Sequence, residues 1–216
     1  GVDNRFFYKN HHNCSGFTAH NFDGDFLLCH DLDNPEKLPG ITLAENEVTG
    51  KTIGISNLLY FYRFSSAWEE FSDLSVEKPI DRARALGVPY EMQDGMNAHG
   101  LALVTFTASG TEIGSYGKKI PLCYYSLYRA IIDRCKTVDE VLDFMEHYTM
   151  APEDNISHFQ IADASGNSAI IEYIKGEMKI LRSEKSYQIC SNFLIYDNPE
   201  MEGFGKDRYL AYRDYL

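Results

Sequence analysis

Cys14-Ser-Gly-Phe-Thr-Ala-His-Asn-Phe-Asp-Gly-Asp-Phe-Leu-Leu-Cys-His-Asp-Leu-Asp33 reads as one hairpin. Phe17 to Asn21 alternates apolar and polar residues, the pattern of a half-buried strand. Asp23-Gly24 is a turn dipeptide, because glycine accepts the positive φ that tight hairpins need. Asp25 to Leu32 is apolar again and forms the return strand. A hairpin folds its ends together, so Cys14 is expected close to His30 and Asp33. A thiol beside an imidazole and a carboxylate is a setting for nucleophilic chemistry.

Upstream of the hairpin, residues 1–13 are polar, end in Lys9-Asn-His-His-Asn13 and lack periodicity, which suits a leader or propeptide. His11, His12 and Cys14 do not make a metal site: adjacent strand residues point to opposite faces, and no second ligand pair follows. Gly1 is not an initiator residue, so a trimmed or processed chain is expected. An extracytoplasmic location goes with that reading, and a cytoplasmic one is the alternative.

The totals exclude several classes. A chain of 216 residues is long enough for one domain with a real core. Its formal net charge of −12 argues against nucleic acid and anionic membrane as partners. No stretch approaches the roughly 18 apolar residues of a membrane span. Five cysteines (Cys14, Cys29, Cys123, Cys135 and Cys190) show no CxxC pairing, so neither a zinc site nor a disulfide framework is indicated.

Downstream, Ile41 to Leu43 and Thr52 to Tyr62 read as strands, and Ser65 to Leu86 as one or two short helices. Aromatic residues from Tyr60 to Phe71, with Trp68, read first as core and second as one wall of an acyl pocket. Asp94 to Gly100 reads as a glycine-rich turn, with Asn97 a turn former, feeding a strand from Leu101 to Thr107. Pro121 is placed at the first position of a helix whose apolar face runs from Tyr124 to Cys135. Thr137-Val-Asp-Glu140 has capping-box spacing and opens a second helix. His158 to Asp163, Ser168 to Ile174, Met178 to Arg182 and Tyr187 to Phe193 are strands. Strands, two helices and strands again, without regular βαβ alternation, give an α+β class.

Several of these stretches match one family. Cys14-Ser15, a short strand, the Gly24 turn and Cys29-His-Asp-Leu-Asp33 resemble the cysteine N-terminal nucleophile hydrolases. Among them the pattern is most similar to the choloylglycine hydrolase group, which cleaves linear amides and includes bile salt hydrolases, penicillin V acylases and acid-ceramidase-like amidases. Asp94-Gly-Met-Asn-Ala-His-Gly-Leu-Ala102 resembles that group's Asp-Gly-Met-Asn-Glu-Lys-Gly-Leu-Ala. The segment from His158 to Glu172 and the dipeptide Ser191-Asn192 resemble two further elements.

The resemblance implies a four-layer αββα sandwich formed by residues 14–216, short of the family's last strands, behind a 1–13 leader. It implies Cys14 as nucleophile after cleavage of the Asn13–Cys14 bond, so the chain as written is a zymogen. Asp33 would hold the freed α-amino group, Asn192 would donate to the oxyanion, and Arg208 would supply positive charge, with Arg213 its competitor. His30 stands where the family has arginine, and is expected to give the site a titratable group. Asn97 and Thr107 fall on the substrate side, Thr107 where bile salt hydrolases have an asparagine. Such an enzyme takes a small N-acyl amide and needs no metal or cofactor; a homo-oligomer is compatible with it. Three functions follow: a linear-amide hydrolase, an isopenicillin-type acyltransferase in which an amine replaces water, and a catalytically silent binding protein of the same fold.

Overall fold

The structure is a computed structural model, and it describes residues 13–33, 39–57, 77–152 and 157–216. The hairpin forms where the alternation places it. Strand β1, Asn13–His20, pairs antiparallel with β2, Phe26–Asp33, from Asn13 opposite Asp33 to His20 opposite Phe26. Asn21 sets the turn: its Oδ1 accepts from the backbone N–H groups of Asp23 and Asp25 at 2.9 and 2.8 Å, and its Nδ2 donates to the Asp25 carboxylate at 3.0 Å. On its other side β1 takes β12, Gln188–Cys190, which completes a three-stranded sheet in the order β12-β1-β2.

The second sheet is larger. It is built from β3 (Pro39–Asn46), β4 (Gly50–Asn57), β5 (Met92–Asn97), β6 (Ala102–Thr107), β9 (Ser157–Ala162), β10 (Ser168–Ile174) and β11 (Glu177–Leu181). The seven strands run in the order β11-β10-β9-β6-β5-β4-β3. Two short strands, β7 (Ile120–Leu122) and β8 (Tyr148–Met150), form a parallel pair beside it.

Four layers result. Helix α1 is Pro79–Ala85, α2 is Tyr124–Arg134, α3 is Val138–His147 and α4 is Lys206–Tyr215. Leu127, Tyr128, Ile131 and Ile132 of α2, with Val138, Val141 and Met145 of α3, bury against Leu103, Phe159, Ile161 and Ile171 on one face of the seven-stranded sheet. The opposite face meets the three-stranded sheet through Val104, Phe106, Ile170, Cys14, Cys190, Leu28 and Leu32. Helix α4 lies on the far side of the small sheet, with Tyr212 against Phe17 at a ring separation of 5.0 Å and 3.4 Å from the Ser15 hydroxyl. This is the αββα sandwich expected from the sequence.

Some elements differ from the sequence reading. Pro121 lies in β7, and α2 starts three residues later, because Ile120 to Leu122 pair with Tyr148 to Met150. Proline tolerates this position since an edge strand spares its missing N–H. Asp94 to Asn97 belong to β5, and the turn is confined to the residues before Leu101. The capping box forms at α3, with Thr137 Oγ1 accepting from Glu140 N at 3.2 Å, while the Glu140 carboxylate reaches Lys136 N at 2.7 Å. The aromatic cluster from Tyr60 to Phe71 and the distal part of the second expected strand lie outside the described residues. No described helix is long and apolar enough to cross a membrane.

Candidate active site

Residues directly opposite in an antiparallel pair share a face. Cys14 is opposite Leu32, and Gly16 opposite His30, so the thiol and the imidazole both point between the two sheets. Cys14 is 4% exposed. A side chain at Gly16 would meet the Cys29 carbonyl at 2.6 Å and the Phe106 ring at 3.0 Å, so the absence of a Cβ there lets β1 approach the ring set edge-on to His30.

The backbone of Cys14 is held from the C-terminal end of the chain. Its N–H donates to Asn192 Oδ1 at 2.7 Å. The same oxygen accepts from Arg208 Nη2 at 2.7 Å, and Arg208 also reaches the Cys14 carbonyl at 3.3 Å. Two donors on one atom fix it as the amide oxygen, so the orientation of the Asn192 side chain is settled by chemistry. Its Nδ2 is turned to Thr107, 2.9 Å from the carbonyl and 3.1 Å from the hydroxyl. Ser191, whose hydroxyl lies 3.4 Å from the Cys14 carbonyl, donates to Gly205 O at 3.1 Å. Gly205 caps α4 at φ +84°, and a Cβ there would run into Ser191 Oγ and Arg208 Nη2. Glycine at this one position lets α4 bring Arg208 onto Cys14.

His30 makes the other half of the site. Its Nδ1 is 2.7 Å from Asp94 Oδ2, with side-chain exposures of 4% and 13%. Nε2 is buried and has no hydrogen-bond partner among the described residues, and the same holds for Asp94 Oδ1. Burial alone would push the imidazolium down. The Asp94 carboxylate outweighs it by charge and hydrogen bond, the Cys14 thiol adds to it, and the pKa rises to about 9. Phe106 packs edge-on to the His30 ring at 4.7 Å and to His158 at 5.6 Å.

His158 lies beneath the site and is fully buried. Its Nδ1 is 3.0 Å from Glu172 Oε1 and its Nε2 2.7 Å from the Ser191 carbonyl. The carbonyl can only accept, and Glu172 already receives the N–H groups of Ile195 and Tyr196 at 2.8 and 2.9 Å. The ring therefore carries both protons. Burial opposes that charge, but the Cys190 thiol at 3.6 Å and the Glu172 carboxylate raise the pKa of His158. This buried pair ties β9 and β10 to the strand end that carries Asn192, the structural role expected of a core histidine.

The structure thus brings Cys14, His30, Thr107, Asn192 and Arg208 together. Arg213 is occupied on the surface with Asp214 at 2.9 Å, which leaves Arg208 as the arginine of the site. Three expectations are corrected or redirected. Asn97 does not face the site: its Nδ2 donates to Ile132 O and Cys135 O at 2.9 and 2.7 Å, and its Oδ1 accepts from His99 N and Leu101 N. It fastens the β5–β6 turn to the end of α2, on the far face of the large sheet. Asp33 is opposite Asn13, one step past Cys14, on the other and exposed face of the hairpin. In the intact chain the Cys14 nitrogen is held by Asn192 instead. Asn192 in turn spends its Nδ2 on Thr107. Asp94, in contrast, was missed as a site residue; its place two residues before Met96 on one strand face was the available signal.

Residues 76–207, more than half of the chain, match the family described as acyl-coenzyme A:6-aminopenicillanic acid acyl-transferase. The chain belongs to that family. Penicillin V acylase of Pectobacterium atrosepticum is 29% identical over 116 residues, which covers 48% of this chain and 31% of that protein. Among solved structures, penicillin V acylase from Agrobacterium tumefaciens superposes with a TM-score of 0.55 at 18% identity, over 94% of this chain and 56% of that one. A variant of conjugated bile acid hydrolase from Clostridium perfringens gives 0.52 at 13% identity, over 94% and 58%. The likeness to these solved structures shows that the chain shares their fold. The chain spans a little over half the length of the solved relatives and about a third of the curated one.

Proposed function

We propose that this chain hydrolyses the carbon–nitrogen bond of a small N-acyl amide, with Cys14 as the nucleophile. The observation that carries the proposal is the fixing of Cys14 N and O by Asn192 and Arg208, with its thiol turned toward His30 between the sheets. A thiolate needs a base, and a free α-amino group, with a reference pKa of about 8, is one. Cleavage of Asn13–Cys14 would create it, with Asp33 standing opposite Asn13 beside the cut. Sγ would attack the substrate carbonyl, the amine would leave with a proton, and water would release the acid. Asn192 would turn an N–H from Thr107 to the oxyanion. Ile55 and Met96 flank this site on the face that carries Asp94, and with Ile41, Leu43 and Ile53 they form an exposed apolar floor suited to an acyl group.

The test is release of free amine from a panel of N-acyl amino acids and N-acyl amines, followed by mass spectrometry, with Cys14→Ala as control. Equal turnover by the control refutes the proposal. A second reading, transfer of the acyl group to an amine, is favoured by the acyl-transferase family that the chain matches. Products formed with an added amine nucleophile separate the two: new amide for a transferase, free acid for a hydrolase.

A further inference from the structure

We propose that His30 and Asp94 act on Cys14 as an imidazole–carboxylate pair that activates the thiol while the chain is still intact, before an α-amino group exists. The proposal rests on the maturation step just described and adds the group that drives it. In the intact chain the Cys14 nitrogen is an amide that donates its proton to Asn192, so it has no lone pair to offer as a base. Something else must take the thiol proton. Of the His30 nitrogens, Nδ1 is taken by Asp94 at 2.7 Å. Nε2 is buried without a partner among the described residues, on the strand face it shares with Cys14, and is the nitrogen available to the thiol. Asp94 fixes the tautomer and the ring plane, and Phe106 closes one side of the ring. An imidazolium beside a thiol is the setting in which thiolates form.

The step balances without an outside reagent other than water. The thiol proton passes to the neutral His30 ring, and the thiolate–imidazolium pair so formed persists up to about pH 9. Sγ bonds to the Asn13 carbonyl carbon, the Asn13–Cys14 C–N bond breaks, and His30 returns the proton to the departing nitrogen. A thioester joins residues 1–13 to Sγ. Water then hydrolyses it to the Asn13 carboxylate and the free Cys14 thiol. His30 is catalytic in this step because it exchanges its proton with the reacting atoms, and Asp94 is a positioning residue. The charged or titratable groups that face His30 are Asp94 from β5 and Cys14 from β1, while β6 contributes the Phe106 ring. Beyond that ring lies His158, and Arg208 stands at the Cys14 carbonyl.

The experiment is an intact-mass time course of the loss of residues 1–13 across pH, on the full chain and on His30→Gln, Asp94→Asn and Asp94→Glu. General acid–base catalysis contributes about 10²–10⁴-fold, so His30→Gln should slow the loss at least about a hundredfold. In the wild type the rate should fall above about pH 9, where His30 gives up its proton. Asp94→Asn should bring that descending limb below 9, and Asp94→Glu should restore it, an effect that a merely structural carboxylate would not produce. Melting temperatures show whether each variant is folded. Wild-type rates in a folded His30→Gln chain overturn the proposal. A wild-type chain that keeps its first residues overturns the maturation reading instead. The reaction of Cys14 with methyl methanethiosulfonate, mapped by peptide mass, then still reads the pair. A pH profile that moves in His30→Gln supports it, and a superimposable one overturns it.

Discussion

Replacing Asp94 by asparagine should change how stability depends on pH. In the folded chain Asp94 lifts His30 from 6.5 to about 9. A group whose pKa is raised by folding adds stability in full below its unfolded pKa, and that stability drains away as pH rises through the folded value. The window is therefore about pH 6.5 to 9, and at about 1.4 kcal/mol per pH unit the wild type stands to lose no more than about 3.5 kcal/mol across it. Little screening applies, since the His30 side chain is 4% exposed. In Asp94→Asn only burial and the weaker thiol remain, the ring folds in neutral, and this loss disappears. His158 is raised in the same direction, but it is present in both proteins and cancels in the difference. Urea unfolding at about pH 6, 7.5 and 9.5 measures it. For a chain of this length about 3.5 kcal/mol corresponds to roughly 7–14 °C in melting temperature. Parallel stability curves for the two proteins would refute the coupling of His30 to Asp94.

Three further outcomes are expected. Cys14→Ala should abolish amide turnover and move the melting temperature by only a few degrees, because a buried sulfur is lost but the backbone bonds to Asn192 and Arg208 remain; residual activity would sink the assignment. Thr107→Val removes the hydroxyl that accepts from Asn192 Nδ2, at a cost of about 0.5–1.5 kcal/mol in stability, and should lower kcat; a change in KM alone would return Thr107 to a substrate-binding role. Gly205→Ala forces a Cβ against Ser191 and Arg208 at φ +84°, and should cost about 1–3 kcal/mol together with most of the activity; a neutral result in unfolding assays would show that α4 does not need this close approach.

The hairpin was legible because alternation and the Asp23-Gly24 turn are local signals. Its register was not. Had the turn been one residue longer, Asp33 would have stood opposite Cys14 and shared its face; as folded, the Asn21 bonds to Asp23 and Asp25 set the pairing one step short, and a one-residue step flips the face. Asn97 was legible as a turn former, but the carbonyls it binds at Ile132 and Cys135 lie a helix away in sequence. The cradle of Cys14 could be read only by resemblance, since Asn192 and Arg208 meet it solely through the layering of α4 on the small sheet. Pro121 shows the reverse error: a locally sound helix start was overridden by the parallel pairing of β7 with β8.

The distance in sequence between Cys14 and its holders sets a schedule. Asn192 lies 178 residues after Cys14, and Arg208 lies 194 after it. At about 5–20 residues per second, synthesis reaches Arg208 roughly 10–40 s after Cys14 has been made. Until then Cys14 has neither its nitrogen anchored nor its carbonyl clamped. A ribosome-bound fragment shorter than this therefore carries the Cys14 thiol without its cradle, and the long-range closure forms only after synthesis has passed Arg208.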